Sequence, residues 1–184
     1  MDGTLTFAIH DFDAIRIELG LPEGKPILES LAELPHEQAQ RLNHQLDAIE
    51  LELSHDSRAA PGAAELLKGL TEKGCHLGIL TRNNRVNIEA TLTAAGLAHY
   101  FNQDSLVSRD CAAPKPDPAG INLLLERWNA TPEQTVMLGD HLFDLDTGKA
   151  AGTATVHVDR SGEFPHLKQA DVSVQELDEL LVCL

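Results

Sequence analysis

Four short stretches of this 184-residue chain carry side chains that could do chemistry: Asp2-Gly3-Thr4-Leu5-Thr6, Thr81 in ILTRN, Lys115 in AAPKPDP, and Asp140 with Asp144 in GDHLFD. Each has a plain structural use as well. Asp-Gly-Thr can close a strand with a turn, the glycine supplying an unusual backbone angle. Thr81 can simply end a strand, Lys115 can lie solvated in a loop, and Asp140 and Asp144 can answer the dipole of a helix N-terminus. Taken together they offer carboxylates, one hydroxyl and one ammonium. The chain carries a net charge of −15. Any anionic ligand must therefore be met by a few well-placed cations or by a metal ion.

The elements that must position these residues fall into two regimes. Residues 11–58 read as helices only. Asp11-Phe12-Asp13 supplies N-cap candidates, Phe12, Ile15 and Leu19 mark one face, and Gly20 stops the helix. Pro26 starts a short helix with Ile27, Leu28, Leu31 and Leu34. A longer one follows Pro35, with Leu42, Leu46, Ile49 and Leu53 as an apolar stripe and acids on the other face. From about residue 60, strands alternate with helices. The expected strands are 76–81, 104–108, 135–140 and 153–159, and Pro61 is expected in the first turn of the helix that ends before Gly74. Ser173 and Glu176 are read as a capping box for a last helix. Buried strands alternating with helices imply a parallel sheet covered on both faces, with right-handed crossovers. Ligands in such sheets sit at the carboxyl ends of the strands. The polar residues there are Asp2, Thr81 and Asp140, with Lys115 in a loop on the same side.

Composition narrows the function classes. The acidic balance argues against nucleic acid and anionic membrane surfaces, which need a positive face. Cys75, Cys111 and Cys183 are odd in number and lack a CxxC, so they read as free thiols of a reducing, cytoplasmic compartment. No apolar run approaches the roughly 18 residues of a membrane span, and the start lacks the features of a signal peptide. The nine histidines are scattered and show no zinc-type spacing.

The order of these features resembles the haloacid dehalogenase superfamily of phosphohydrolases. That order runs from D-G-T-L-T at a first strand end through a helical insertion to a strand ending in Thr81. A K-P-D-P loop with Lys115 follows, then G-D-x-x-x-D after another strand. The resemblance spans nearly the whole chain. It implies a Rossmann-like α/β core over residues 1–6 and 59–184, and a small all-helical cap over residues 7–58. The family's first motif is D-x-D-G-T, whose first aspartate is the nucleophile. Met1 stands at the x position, so that nucleophile falls one residue upstream of residue 1, and Asp2 matches the general acid/base. Asp11 and Asp13 do not replace it, because they lack the Gly-Thr turn and cap a helix instead.

The resemblance implies a phosphatase acting on a small phosphorylated metabolite through an aspartyl-phosphate intermediate, with Mg2+ as cofactor. Asp2, by its backbone carbonyl, and Asp140 would hold the metal, with Asp144 orienting its shell. Thr81 would donate to a phosphoryl oxygen, Lys115 would neutralise charge beside the nucleophile, and Arg82 either reaches the substrate or caps the strand end. A phosphomutase shares the first step. A dehalogenase fits less well, since that branch works without metal. If Met1 is the true start, the literal reading is a non-catalytic domain. The absent strand would be central to the sheet, however, and its loss would leave two strands without a partner. An upstream apolar strand ending in aspartate is therefore expected.

Overall fold

The computed structural model describes residues 1–184. Its first part is helical: α1 (Phe12–Glu18), α2 (Ile27–Ala32) and α3 (His36–Ser54). The Asp11 carboxylate caps α1 by accepting from the amide of Ala14 at 2.9 Å. Pro26 and Pro35 occupy the caps of α2 and α3, where a missing N–H costs nothing. Ile15, Leu19, Leu21, Ile27, Leu31, Leu42 and Leu46 form an apolar cluster of their own between these helices. The acids of α3 do not all lie on its outer face, contrary to the simple stripe. Glu50 and Ser54 extend the buried side toward the rest of the molecule.

The second part alternates as expected: α4 (Ala63–Glu72), β1 (Ile79–Leu80), α5 (Arg85–Ala94), β2 (Leu106–Val107), α6 (Ala119–Trp128), β3 (Val136–Gly139), α7 (Leu142–Ala151), β4 (Ala154–Val158) and β5 (Val172–Val174). Two local expectations are corrected. The helix α4 begins after Gly62 rather than at Pro61. Gly62 has φ +74°, and a Cβ there would come within 2.4 Å of the backbone nitrogen of Asp178, so the cap must be glycine. Ser173 belongs to β5, and the last element is a 3-10 helix over Leu177–Cys183 whose capping box joins Glu176 and Glu179.

All strand pairs are parallel, but they form two sheets, β1-β2 and β3-β4-β5. Neither β1 nor β3 has a partner on its other edge. The strands are correspondingly short, and Val136 at the start of β3 is half exposed. A single core nevertheless crosses between the sheets. Ile79 and Leu106 from one sheet pack with Val156, Val158 and Val174 from the other, beneath Leu66, Leu67, Ile88 and Leu92 of α4 and α5, and Met1 and Leu5 lean against this core. The next residues along β1 and β2, Leu80 and Val107, face the opposite side and pack with Ile121, Leu124 and Leu125 of α6. Alternate residues thus feed two helical layers, as a covered parallel sheet requires. No helix is long and apolar enough to cross a membrane, and the three cysteines are free.

Candidate active site

The first six residues fold into a tight loop at the carboxyl-end rim of the strands. The Met1 carbonyl accepts from the amides of Thr4, Leu5 and Thr6 at 3.2, 2.8 and 3.2 Å. Arg160 grips the loop from outside, donating to the carbonyls of Gly3 at 2.7 Å and Thr4 at 2.9 Å. Gly3 has φ +77°, and a Cβ on it would lie 2.3 Å from Asp140 Oδ2. Glycine thus lets the turn close directly onto that carboxylate.

From this loop a closed series of contacts links every residue singled out in the sequence. Thr4 Oγ1 donates to Asp140 Oδ1 at 2.8 Å. The amide of His141, next to Asp140, donates to Asp144 Oδ2 at 3.1 Å, and the Lys115 ammonium pairs with Asp144 Oδ1. The Lys115 carbonyl accepts a long contact from Arg82 Nη1 at 3.5 Å. Next in the chain to Arg82 are Thr81 and Asn83. The amide of Asn83 donates to Thr81 Oγ1 at 3.2 Å, and its Nδ2 donates to Asp2 Oδ2 at 2.9 Å. Asp2 leads back through Gly3 to Thr4. Four sequence segments separated by tens of residues therefore meet at one rim.

The electrostatics of the ring are set by burial. Lys115 and Asp144 are only 9 % and 4 % exposed. Burial alone would push the Asp144 carboxyl up, but the Lys115 ammonium and the His141 amide hold it below its ordinary value. Asp144 is thus a charged, fully engaged carboxylate. Asp140 differs, because only its Oδ1 is hydrogen-bonded to protein. Thr81 accepts from the backbone amide of Asn83, which leaves its own hydroxyl hydrogen free to donate. Arg82 is not free. Its guanidinium binds both oxygens of Glu29 on α2, at 2.7 and 2.6 Å, and lies 5.0 Å from the ring centre of Phe143. His10 lies near Asp2 with both ring nitrogens shielded and unpartnered, and burial lowers its pKa against the pull of Asp2.

Residues that sequence reasoning passed over lie just outside the ring. Asn83 holds Asp2, Arg160 holds the turn, and the buried Glu50 of α3 meets Arg109. Only Glu50 left a signal, since it falls on the apolar side of α3 one turn after Leu46. Burial pushes the Glu50 carboxyl up to about 7, against the opposing pull of Arg109. A carboxyl raised on folding holds its proton more tightly in the folded chain. Its favourable contribution is therefore complete below the unfolded value of 4.5 and is lost as pH rises through about 7. The loss amounts to about 3 kcal/mol at full ionisation. Glu50→Gln mimics the protonated form and should flatten this part of the stability profile in urea unfolding between about pH 5 and pH 8. A parallel decline of both proteins over that range would contradict the assignment.

The ring supplies carboxylate and hydroxyl oxygens with a single ammonium, and no group of three or more His, Cys, Asp or Glu side chains is placed to hold a metal ion by side chains alone. Residues 13–158 match the model of a family described as haloacid dehalogenase-like hydrolase. The chain is 28% identical to an uncharacterised hydrolase of Saccharomyces cerevisiae, over 98% of this chain and 86% of that one. It is 29% identical to a phosphoglycolate phosphatase of Escherichia coli, over 100% of this chain and 72% of the relative. A solved hydrolase structure from Pseudomonas syringae shares the fold, with a TM-score of 0.81 at 24% identity, covering 99% of this chain and 93% of that one.

Proposed function

Because the chain belongs to the haloacid dehalogenase-like hydrolases, we propose that it is a phosphatase that hydrolyses a small phosphorylated metabolite at the ring of Asp2, Thr81, Lys115 and Asp140. The observation that carries the reading is the series of hydrogen bonds and chain links, through Thr4, Asn83, Arg82 and Asp144, that brings those four residues to one rim. A bare scaffold has no use for a buried ammonium, a free hydroxyl and three carboxylates at one rim. A phosphate monoester repels nucleophiles, so the main tasks are positioning and charge neutralisation.

The nucleophile in this reading is an aspartate that ends a strand lying between β1 and β3, one position ahead of Met1. The unpaired edges of β1 and β3 support that placement, since a parallel strand between them would join the two sheets into one. The nucleophilic carboxylate attacks phosphorus, and the bond to the leaving oxygen breaks. Asp2 gives its proton to the departing alkoxide, then takes one from the water that cleaves the acyl phosphate. Thr81 donates to a phosphoryl oxygen, and Lys115, fixed by Asp144, offsets charge beside the nucleophile. The helices α1–α3 serve as the cap over the site, and the Arg82–Glu29 pair ties it to the core.

Magnesium suits the donor set, which is oxygen only. Asp140 Oδ2 accepts no hydrogen bond from the protein, and the ion keeps several waters while leaning on one or two carboxylates. Asp140 and the carbonyl of Asp2 would hold it, with Asp144 orienting the shell. Bound there, it would offset the negative charge of the phosphoryl oxygens.

The test is phosphate release from a panel of small phosphate esters, with and without magnesium. It compares the chain starting at Met1 with one extended by an apolar strand that ends in aspartate directly before Met1. The extended chain is expected to hydrolyse at least one ester in a magnesium-dependent way, and the shorter one to be inert or nearly so. Equal activity of the two would mean that another group attacks phosphorus.

A further inference from the structure

Two consecutive carbonyls of the loop that carries Thr81 and Asn83 are held by one arginine that lies outside the ring. The amide of Arg109, just beyond β2, donates to the carbonyl of Asn83 at 3.0 Å. Its Nη1 donates to the carbonyl of Arg82 at 3.1 Å and to Glu50 Oε2 at 3.1 Å, and its Nη2 pairs with Asp47. Glu50 and Asp47 lie one turn apart on α3. Each is also tied to the start of α5, Asp47 by Asn84 Nδ2 at 2.9 Å and Glu50 by Asn87 Nδ2 at 3.0 Å. The side chains of Arg109 and Glu50 are 10% and 6% exposed.

Such a cluster is a poor way to gain stability, because the cost of desolvating buried ions offsets most of their attraction. What it does well is fix geometry. The guanidinium fork has a rigid shape, and it satisfies the loop and the helix only when both are in one relative position. The same loop carries the two groups the proposed reaction depends on: the Thr81 hydroxyl and the Asn83 side-chain amide that holds Asp2.

We infer that Arg109 is a positioning residue, which couples the seat of helix α3 to the placement of Thr81 and of the Asn83–Asp2 hydrogen bond. This rests on the phosphatase reading for its effect on catalysis, though not for the coupling itself. Arg109 touches neither substrate nor the reacting atoms in that reading. When α3 is seated, Glu50 and Asp47 hold the guanidinium against the Arg82 carbonyl. The loop is thereby held where Thr81 and Asn83 face the ring.

The test uses the extended chain with Arg109→Lys and Arg109→Gln, and reads steady-state kinetics together with amide hydrogen exchange. Lysine keeps the charge but cannot span two carboxylates and a carbonyl. Both variants are expected to lower kcat by about tenfold or more, with KM changing much less, because a small displacement near the reacting atoms costs rate before it costs binding. Exchange is expected to rise together at residues 82–84 and along residues 46–54. Exchange that rises only around residues 108–112, or an unchanged kcat in an active enzyme, would overturn the inference. If the unsubstituted extended chain hydrolyses no ester, the phosphatase reading falls. The exchange pattern then still decides whether Arg109 couples helix and loop.

Discussion

Asp2→Asn in the extended chain is expected to lower the hydrolysis of alkyl phosphates by roughly 10²–10⁴-fold, the range for loss of a general acid–base group. The substitution should spare the fold. The amide can present its oxygen to Asn83 Nδ2 and its NH2 to Thr6 Oγ1, the two groups that now surround the carboxylate at 2.9 and 3.4 Å. The defect should depend on the leaving group. An alkoxide needs a proton as the bond to phosphorus breaks, whereas a nitrophenolate leaves without one. With p-nitrophenyl phosphate the first step should therefore survive. The second should stall, because no carboxylate is left to take a proton from the attacking water. The expected trace is a burst of about one nitrophenolate per chain followed by a much slower phase. Equal loss on both ester types, with no burst, would remove Asp2 from the acid–base role.

Lys115→Met is expected to be among the most destabilising single substitutions available, at about 3–5 kcal/mol, because it leaves the buried Asp144 charge without its partner. The Asp144 side chain is 6% exposed and keeps only the His141 amide. The double variant Lys115→Met with Asp144→Asn should recover most of that stability, since a neutral amide can still accept from His141. Neither variant should hydrolyse esters. Recovery of stability without recovery of activity would separate the two jobs of the pair: holding the loop after β2 to α7, and offsetting phosphoryl charge. Denaturant unfolding of the single and double variants measures the first job. A single variant as stable as the unsubstituted chain would show that water already reaches Asp144.

What could be read from the sequence was what strand ends dictate. Thr81 and Asp140 each follow a short apolar run, Asp2 opens an Asp-Gly-Thr turn, and a parallel sheet brings such strand ends to one rim. The break between the two sheets was legible from the resemblance, which puts a central strand ahead of Asp2. The contacts around the ring were not. Asn83 meets Asp2 across 81 positions, and Arg109 meets Glu50 across 59. Neither pairing leaves a local pattern, because a lone arginine or asparagine in a loop has many uses. The strand β5 was missed because Val172-Ser173-Val174 is too short to show a period. Its Ser173 and the following Glu176 instead looked like a helix start. Arg82 read as a candidate substrate ligand because it follows Thr81. Only the fold brings Glu29 of α2 to its guanidinium.

The central claim is that an aspartate ahead of Met1 becomes phosphorylated at this ring. Acid-quenching the extended Asp2→Asn chain shortly after mixing with p-nitrophenyl phosphate and magnesium, followed by peptide mass spectrometry, measures it directly. One phosphoryl group is expected on the N-terminal peptide that ends at Arg16, and none when the upstream aspartate is replaced by asparagine. A phosphoryl group on any other peptide, or turnover with no trapped adduct in either chain, would contradict the account.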